Sequence, residues 1–471
     1  MTIESTSAAT AESLRGLCGG AVHLPGDPGY DGARVPWNVA VDQRPAAVAY
    51  PANPREVSEV VVAAARAGLR VAPQTTGHNA APLAAKGMDD VVLVRTSAMT
   101  NVTVGAQSRI ARAEGGALWL DAVEAATPHG LIPLHGSSPD VGIAGYSLGG
   151  GIGWYARKLG LATNSITAVE LVTADGAVVR ADADTDPALF WALRGGGGNF
   201  GIVTALEFAL YPIETAYAGM LIWDRVHTEK VLRRWVDWTG QAPDEVTTSF
   251  RVLNLPPLPE LPELLRGRQI VMIDGAVLGS DSEAESILSG LRELSPEIDT
   301  FGRAPAGSLI RMHMDPEGPT PAVTHTSMLG ALSDEAIATF VSAVGPGSRS
   351  SLLLAELRQL GGALSRPHPG GGGALSHLEA DFVVFAGAIA ATPELAAQGY
   401  TDAVSLTTAM APWATGRQYL NFAEDAVDPR AGYTSEAWEQ LSAVRSMVDP
   451  DGVFAANHTV PRLYEGGQPA V

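Results

Sequence analysis

The segment from Gly142 to Gly153 constrains the fold more than any other, because half of its residues are glycine. Glycine weakens helices and strands, since it has no side chain to pack and the freest backbone of all residues. The segment is therefore predicted to form neither a regular helix nor a regular strand. A bare backbone is useful where another group must approach it closely, and this indicates a binding function.

Two further stretches share this character. One is the run of glycines from Gly195 to Gly201, and the other is the polar loop 74–79, which contains Gly77 and His78. Successive backbone N–H groups in such turns form anion sites, so a phosphate-bearing cofactor could come within reach of His78. Taken alone, the loop is equally compatible with a surface turn and an incidental histidine. Together, the three segments favour one binding site.

Composition limits the functional class. The chain has 471 residues, 46% of them hydrophobic, which is enough for two domains or one elaborate domain. The net charge of −20 and the lack of a Lys/Arg cluster argue against nucleic acid and membranes as partners. Cys18 is the single cysteine, so an intramolecular disulfide and a thiolate metal cluster are excluded, and no metal is predicted. Residues 1–15 show no secretory signal, which predicts a cytoplasmic protein.

The order of elements predicts an α+β protein. Asn53-Pro54-Arg55-Glu56 predicts the start of a helix, and strands at 44–50 and 69–72 would flank it in a βαβ-like unit. From residue 214 onward, long alternating strands and amphipathic helices predict an antiparallel sheet with helices on one side. The strands are predicted at 216–223, 247–253, 269–277, 351–359 and 381–390, and the helices at 228–239, 282–294, 333–344 and 393–410.

Three interpretations compete for the glycine-rich segments. Gly145-Tyr146-Ser147-Leu148-Gly149 matches the nucleophile elbow of serine hydrolases, but the run Gly149-Gly150-Gly151 stands where that motif needs a helix. The run 151–156 matches the Rossmann fingerprint without the strand that should precede it, and the run 196–201 stands in the reverse order, after a helix and before a strand. The third interpretation has several bare loops converging on one flavin dinucleotide, with Asn199 binding a polar edge of the cofactor.

The third interpretation also matches a known family. The stretches that carry the resemblance are 76–79, 136–153, 194–204 and 449–454, together with Asn457. They resemble the FAD-linked oxidase superfamily with the p-cresol methylhydroxylase/vanillyl-alcohol oxidase (PCMH/VAO) fold, and within it the berberine-bridge-enzyme-like family. The resemblance implies a two-subdomain FAD-binding domain at 36–213, an inserted substrate domain with an antiparallel sheet at 214–416, and a C-terminal segment, 417–460, that returns to the FAD domain.

The resemblance also implies the residues that hold the cofactor. FAD would be attached covalently to His78. Many relatives attach it a second time through a cysteine, whose place is taken here by Ser138; a hydroxyl group cannot form the thioether, so a single link is expected. The other implied FAD-binding residues are Gln74, Thr75, Thr76, Gly77, Asn79, Val141, Gly142, Gly145, Tyr146, Gly149, Gly150, Gly153, Asn199, Ile202, Val203, Asn421 and Asn457.

The expected reaction is hydride transfer from a small alcohol, an amine or a natural-product intermediate of secondary metabolism to FAD, with O₂ as the electron acceptor. Oxidase behaviour is favoured over dehydrogenase behaviour, but it is not fixed, because Tyr146 is bulky enough to restrict access of O₂. A proton acceptor is needed for many such substrates. The candidates are Tyr419 and Glu356, and alternation places Glu356 and Arg358 on one face of a strand.

Each of these candidates has a structural alternative. Tyr419 could be a packed tyrosine, and the Glu356–Arg358 pair could be a surface salt bridge. His135, His313 with Arg311, and His325 are further candidates for the substrate site, or else residues of exposed loops. Two other functions stay open from the sequence: a serine hydrolase that uses Ser147, and a catalytically silent protein that binds flavin.

Overall fold

The computed structural model describes residues 10–259 and 261–463, so residues 1–9 of the predicted signal-free segment lie outside it. The first sheet has the strands β1 (Val22–His23), β2 (Ala47–Ala49), β3 (Arg70–Gln74) and β4 (Val91–Arg95) in the order β1-β2-β4-β3. β2 and β3 both run parallel to β4. The helices of this part are α1 (Tyr30–Ala33), α2 (Pro54–Arg66) and α3 (Ala81–Ala84).

Helix α2 begins where the sequence predicts. The Asn53 side chain accepts a hydrogen bond from the backbone N–H of Glu56 at 3.0 Å, and Pro54 occupies the first helical position. Val57, Val60, Val61 and Ala64 are fully buried against the first sheet. The predicted unit of strand, helix and strand is thus confirmed, and it ends at the loop that carries His78.

The second sheet has five antiparallel strands in the order β5-β6-β9-β7-β8. They are β5 (Val102–Gly105), β6 (Ile110–Glu114), β7 (Ile166–Val172), β8 (Val178–Asp182) and β9 (Ile202–Ala209), and the helices of this part are α4 (Trp119–Ala126), α5 (Ile143–Leu148), α6 (Ala156–Leu159) and α7 (Pro187–Leu193). The run 195–201 connects α7 to β9.

Helix α5 corrects the prediction that the segment from Gly142 to Gly153 contains no regular helix. Gly145 is the single glycine within α5, and Ile143, Ala144 and Leu148 anchor the helix in the core. Gly142 precedes it and Gly149 ends it. Tertiary burial outweighs the weak helix propensity of this short stretch, while the irregular backbone is confined to the residues that follow, where Gly150 and Gly151 have φ of 130° and 87°.

The third sheet is antiparallel, as predicted, and confirms the α+β class. Its order is β13-β10-β12-β11-β16-β17-β15, and β14 pairs with β10. The strands are β10 (Thr215–Asp224), β11 (Val246–Asn254), β12 (Gln269–Val277), β13 (Ile298–Asp299), β14 (Gly302–Pro305), β15 (Ala322–Leu329), β16 (Leu354–Gln359) and β17 (Phe382–Ile389). The sequence pattern does not predict β15, because threonine, histidine and serine interrupt its apolar alternation.

The two faces of the third sheet differ. Helices α8 (Thr228–Thr239), α9 (Asp281–Arg292), α10 (Asp334–Val344) and α11 (Pro393–Ala409) cover one face and share a core with it. Trp235, Leu288, Phe340 and Leu406 are the central contacts from these helices. The other face carries polar and charged side chains and turns toward the glycine-rich segments.

The C-terminal segment returns to the first sheet. Val71 on β3 donates its N–H to the Val453 carbonyl at 2.7 Å and accepts a bond from the Ala455 N–H at 2.8 Å. Arg445, on helix α12 (Ser435–Val448), fixes this return by donating to Asn199 Oδ1 and to the Val460 carbonyl, each at 2.7 Å. The segment therefore lies beside both the His78 loop and the run 195–201. The domain limits 36–213, 214–416 and 417–460 stay a prediction.

Candidate functional site

A cavity of about 470 Å³ lies between the glycine-rich segments and the polar face of the third sheet. It brings together most of the residues predicted to bind FAD or to act on a substrate. These are Gln74, Thr75, Thr76, Gly77, His78, Asn79, Ser138, Val141, Gly142, Gly145, Tyr146, Gly149, Asn199, Val203, Glu356, Arg358, Tyr419, Asn421 and Asn457. Residues more than 300 positions apart in the sequence thus share one wall.

Three predicted FAD-binding residues do not line this cavity. Ile202 is fully buried in the core beneath the first sheet. A Cβ on Gly153 would stand 2.1 Å from the His135 carbonyl oxygen, and one on Gly150 would stand 3.0 Å from the Tyr419 ring. These two glycines allow protein segments to approach each other, so their place is behind the cavity wall.

The candidate substrate-site residues also differ in whether they line the cavity. His313 lines the cavity. His135 is fully buried behind the wall, with its Nδ1 2.6 Å from the Gly136 carbonyl oxygen. His325 pairs with Thr407 of α11 at 2.7 Å, and Arg311 forms a half-exposed ion pair with Glu317. The structure therefore leaves His313 as the one of these candidates that faces the site.

The glycines at the cavity wall allow close packing that a side chain would prevent. A Cβ on Gly142 would stand 2.7 Å from Thr75, and a Cβ on Gly149 would stand 1.9 Å from Asn421 Oδ1. Gly77 has φ of 87°, a conformation that favours glycine. The backbone at these points is consequently packed closely and fixed in place, so the cavity wall is a rigid surface on which a flat cofactor could lie.

His78 is held on several sides. Its ring stacks on the Trp37 indole at a centroid distance of 4.1 Å and an angle of 17°. Its Nδ1 lies 2.8 Å from the Thr76 hydroxyl, while Nε2 has no hydrogen-bond partner among the described residues and lies 3.8 Å from Asp140 Oδ1. Burial lowers the pKa of His78 to about 4, although Asp140 and Asp315 oppose the shift. The imidazole is therefore neutral at neutral pH and can act as a nucleophile.

Tyr419 is fully enclosed except where it meets the cavity. Its hydroxyl accepts hydrogen bonds from the Gly151 N–H at 2.8 Å and from Asn421 Nδ2 at 3.3 Å. Burial raises the pKa of Tyr419 to about 12, although these two donors and Arg358 oppose the shift. At neutral pH the phenol is thus protonated, and its proton is available to a molecule in the cavity.

Glu356 and Arg358 both project from β16 toward the cavity, so they are not the surface salt bridge of the alternative interpretation. Arg358 Nε donates to Glu356 Oε1 at 2.7 Å, and the Ser249 hydroxyl donates to the same oxygen at 2.7 Å. Burial would raise the pKa of Glu356, but Arg358 and His313 hold it well below its usual range. Glu356 is therefore a fixed negative charge and a weak base.

A second layer of charge, which the sequence analysis missed, lies beside this pair. Arg251 on β11 pairs with Asp274 on β12, and Asp274 Oδ2 lies 2.9 Å from His313 Nδ1. Burial and Arg251 work against a charged His313, yet the nearby carboxylates, Asp315 first, raise its pKa to about 9. Alternation along each strand indicates the face of these residues, but the pairing register that brings them together is not visible in the sequence.

Glu424 is another site residue that the sequence analysis missed. It lines the cavity, and its Oε2 accepts a hydrogen bond from Asn38 Nδ2 at 3.2 Å. Burial raises the pKa of Glu424 to about 7, with Thr324 and Asn38 opposing the shift. Its position five residues after Tyr419, in the returning C-terminal segment, is the signal that could have found it.

The serine hydrolase alternative is not supported. Ser147 lies inside α5, is 3% exposed and does not line the cavity. Among the described residues its hydroxyl has no hydrogen bond to a histidine. A nucleophile elbow requires an exposed serine at a turn between a strand and a helix, whereas Ser147 is buried within a helix.

Comparisons with known proteins also point to FAD binding. A family model described as FAD binding domain matches residues 45–182. The chain is 34% identical over 228 residues to the xylooligosaccharide oxidase of Thermothelomyces thermophilus, a match that covers 46% of this chain and 45% of that protein. It is 34% identical over 220 residues to the (R)-6-hydroxynicotine oxidase of Paenarthrobacter nicotinovorans, covering 46% and 47% of the two chains.

A solved structure extends the likeness over the fold. Physcomitrella patens BBE-like 1 superposes with a TM-score of 0.82 at 22% identity, and the match covers 98% of this chain and 100% of the other. The matches to the two oxidases span about half the length of those relatives. The chain thus has the PCMH/VAO fold, its residues 45–182 match an FAD binding domain, and its resemblance to the berberine-bridge-enzyme-like FAD-linked oxidases is confirmed.

Proposed function

We propose that the protein is an FAD-dependent oxidoreductase that transfers a hydride from a small alcohol, an amine or a natural-product intermediate to FAD attached covalently to His78. The observation that carries this proposal is the single cavity in which uncovered backbone, a neutral histidine and a buried polar sheet face meet. The oxidase and FAD-binding likenesses of the chain support the same reaction class.

The residues present fit a flavin dinucleotide. Among the described residues, the backbone N–H groups of Gly77, His78 and Asn79 donate no hydrogen bond and are free for phosphates, and Asn79 Oδ1 and the Tyr146 hydroxyl are buried polar atoms without partners. Each is the kind of group that a bound ligand satisfies. When bound, the flavin supplies the hydride acceptor, and the protein supplies orientation and charge.

The proposed catalytic residues are Tyr419, Glu356 and Arg358. Tyr419 directs its proton to the oxygen or nitrogen of the reacting group, because its own oxygen already accepts two hydrogen bonds. Arg358 adds a fixed positive charge that Glu356 orients. Since the Tyr419 phenol is protonated at neutral pH, the site favours a neutral amine there, and alcohol oxidation is expected to rise with pH as the phenolate forms.

Other parts of the proposal concern the cellular setting. We infer O₂ as the electron acceptor, a cytoplasmic location and a role in secondary metabolism. Within the described residues no helix combines the length and the apolar character needed to cross a membrane. Reoxidation of the reduced protein by air, followed as the return of flavin colour and the formation of H₂O₂, tests the acceptor directly.

Intact mass and a peptide map of the purified protein test the cofactor assignment. We expect a mass increase of one FAD, a visible flavin spectrum, and the modification on the peptide that contains His78. His78→Ala should bind FAD without the covalent link. A colourless protein after reconstitution with FAD, or a flavin linked through Ser138, would contradict the proposal.

Anaerobic mixing with panels of amines, alcohols and sugars tests the reaction class. A substrate should bleach the flavin absorbance, and Arg358→Lys should slow the bleaching because a point charge replaces an oriented guanidinium. A yellow protein that none of these compounds reduces would favour the catalytically silent flavin-binding protein instead.

A further inference from the structure

Asp140 is a half-buried carboxylate next to His78 that the proposed mechanism does not use. Its Oδ2 accepts hydrogen bonds from Trp37 Nε1 at 2.6 Å and from the Gly318 N–H at 2.7 Å, and its Oδ1 accepts one from the Ser138 hydroxyl at 2.9 Å. All three donors are neutral. The carboxylate therefore has hydrogen bonds that fix its place and no lysine or arginine partner among the described residues.

These contacts hold the Asp140 carboxylate beside the His78 ring. Trp37 links the two residues, since its indole nitrogen donates to Asp140 while its ring stacks on the imidazole. Asp140 Oδ1 lies 3.8 Å from His78 Nε2, which is too far for a hydrogen bond and close enough for a charge interaction between two half-buried side chains. Although burial opposes it, the donors from Gly318, Trp37 and Ser138 hold the pKa of Asp140 below its usual range, so the group is ionised.

A neighbouring carboxylate decides where the neutral imidazole keeps its proton. The tautomer with N–H at Nε2 directs that proton toward Asp140, whereas the other tautomer directs a lone pair toward the negative charge. In the favoured tautomer, Nδ1 carries the lone pair and accepts the hydrogen bond of the Thr76 hydroxyl. The hydrogen-bonding role of one ring nitrogen thus fixes the reactivity of the other.

We propose that Asp140 is a positioning residue for the covalent attachment of FAD: it fixes the tautomer of His78 that attacks through Nδ1 and stabilises the positive ring as the bond forms. The inference rests on the proposed function, since it concerns the same link at His78. It gives a role to the hydrogen bond from Ser138 to Asp140, since Ser138 stands where many relatives have the cysteine of the second flavin link.

The attachment balances as follows. One bond forms between His78 Nδ1 and the 8α carbon of the flavin, while one C–H bond of the 8α methyl group and one N–H bond of the imidazole break. Two protons leave, and two electrons remain on the flavin until O₂ accepts them as H₂O₂. The imidazole bears a positive charge between the formation of the N–C bond and the loss of its proton, and this is the charge that Asp140 faces.

The test is the rate at which apoprotein, produced in a riboflavin-starved host, links added FAD in air. Samples are quenched at timed intervals and analysed by flavin fluorescence of the denatured chain and by intact mass. Asp140→Asn should attach FAD roughly tenfold or more slowly, the equivalent of one pKa unit of lost stabilisation. Its affinity for FAD before the link forms, measured by quenching of flavin fluorescence, should stay within about twofold of wild type, which also shows that the variant folds.

Two variants separate this role from a structural one. Glu317→Gln makes the same carboxylate-to-amide change on the half-exposed part of the loop that contains Gly318, and it should attach FAD at the wild-type rate. Ser137→Ala removes the 2.8 Å hydrogen bond that ties the same loop to the FAD side through Asp315, without touching Asp140. It should also attach FAD at nearly the wild-type rate.

The outcomes distinguish the two proposals. Wild-type protein without a covalent flavin would overturn the link at His78 itself. A wild-type protein that links FAD, with Asp140→Asn equally fast, would overturn the role of Asp140 and leave the proposed function intact. Equal slowing in Asp140→Asn and Ser137→Ala, or a matching loss of FAD affinity in Asp140→Asn, would show that loop anchoring explains the effect and would overturn the inference as well.

Discussion

The two walls of the cavity are built on opposite principles. On the FAD side, Gly142 and Gly149 let Thr75 and Asn421 pack directly against the backbone, and Gly145 leaves the backbone open to the cavity. On the sheet side, Arg251, Asp274, His313, Asp315, Glu356 and Arg358 form a charged cluster whose positive and negative members balance. The FAD side binds its ligand through shape and backbone polarity. The sheet side presents fixed charges that sum to zero, which suits an uncharged substrate.

The walls should therefore fail in different ways. Adding a methyl group at Gly145, where the protein leaves room for it, should exclude the cofactor while the fold survives, whereas removing a side chain from the charged cluster leaves a buried charge unpaired and weakens the fold itself. Substitutions on each side, with matched controls, test this contrast.

The largest effect is expected for Asp274→Ala, at the buried centre of the charged cluster. The change leaves Arg251 and the protonated His313 without their anion, which should lower the free energy of unfolding by about 3–5 kcal/mol. The ionic bond to His313 contributes fully below the ordinary pKa of 6.5 and is lost as pH rises to about 9, so the deficit should shrink between these two pH values and stay constant above them. Urea unfolding at several pH values measures both.

The matched control for that prediction is a surface pair. Glu59→Ala removes the partner of Arg55 on α2, whose side chain is 88% exposed. The change should alter the free energy of unfolding by less than about 1 kcal/mol. A loss of the same small size in Asp274→Ala would show that the charged cluster is hydrated, and the contrast between the two walls would not stand.

Tyr419→Phe should have the next largest effect, and on the reaction instead of the fold. It removes the proton directed at the substrate, and general acid–base groups typically contribute about 10²–10⁴-fold to a rate. We expect the rate of flavin reduction by the first substrate found to fall by at least about 100-fold in anaerobic stopped-flow mixing.

Tyr155→Phe is the control for Tyr419, because the Tyr155 hydroxyl donates to the Ala306 carbonyl at 3.2 Å behind the wall. It should leave flavin reduction unchanged and cost about 1 kcal/mol of stability. Equal rates in Tyr419→Phe and wild type would remove Tyr419 from the proposed catalytic residues.

Glu424→Gln should give a smaller effect with a distinct dependence on pH. The folded protein keeps Glu424 protonated up to about pH 7, whereas the unfolded chain ionises it near its ordinary pKa of 4.5. Wild type therefore loses stability relative to the variant as pH rises between these values, by on the order of 3 kcal/mol, and the difference is constant above them. Unfolding curves between pH 4.5 and 8 that run parallel for the two proteins would contradict the assignment.

The contrast between the walls also explains how much the sequence could predict. Few segments of a protein need so much glycine. The glycine-rich segments and the His78 loop could therefore be recognised from the sequence as parts of the FAD side. The helix α2 and the antiparallel strands follow from local caps and alternation, which act within a few residues. The resemblance to a flavoprotein family rests on the same glycine-rich segments.

The charged wall was harder to predict, because strand pairing creates it. Ser249 meets Arg358 and Arg251 meets Glu356 across the β11–β16 register, and no local pattern links positions more than 100 residues apart. Glu424 and Asp140 were missed for a similar reason: each acquires its role from neighbours on another segment. The error over α5 arose from local propensity, which burial of Ile143 and Leu148 overrides.

The smallest change in stability is expected for Gly145→Ala, and it separates cofactor binding from folding. Gly145 lies within α5 and lines the cavity, and a Cβ there would meet no atom of the protein within 4 Å. Alanine favours a helix over glycine by up to about 1 kcal/mol, so the variant should be as stable as wild type or slightly more stable. Its methyl group should nevertheless exclude FAD, seen as a loss of flavin absorbance relative to the protein band.

Gly290→Ala provides the control, since Gly290 lies in helix α9, away from the cavity, with one side-chain atom, Trp238 Cδ1, at 3.9 Å. It should gain stability to a similar extent and keep its full flavin content. If both variants bind FAD like wild type, then the uncovered backbone at Gly145 is not a contact surface for the cofactor. The cofactor would then have to depend on the His78 loop and the run 195–201, and the wall formed by α5 would be a structural partition between them.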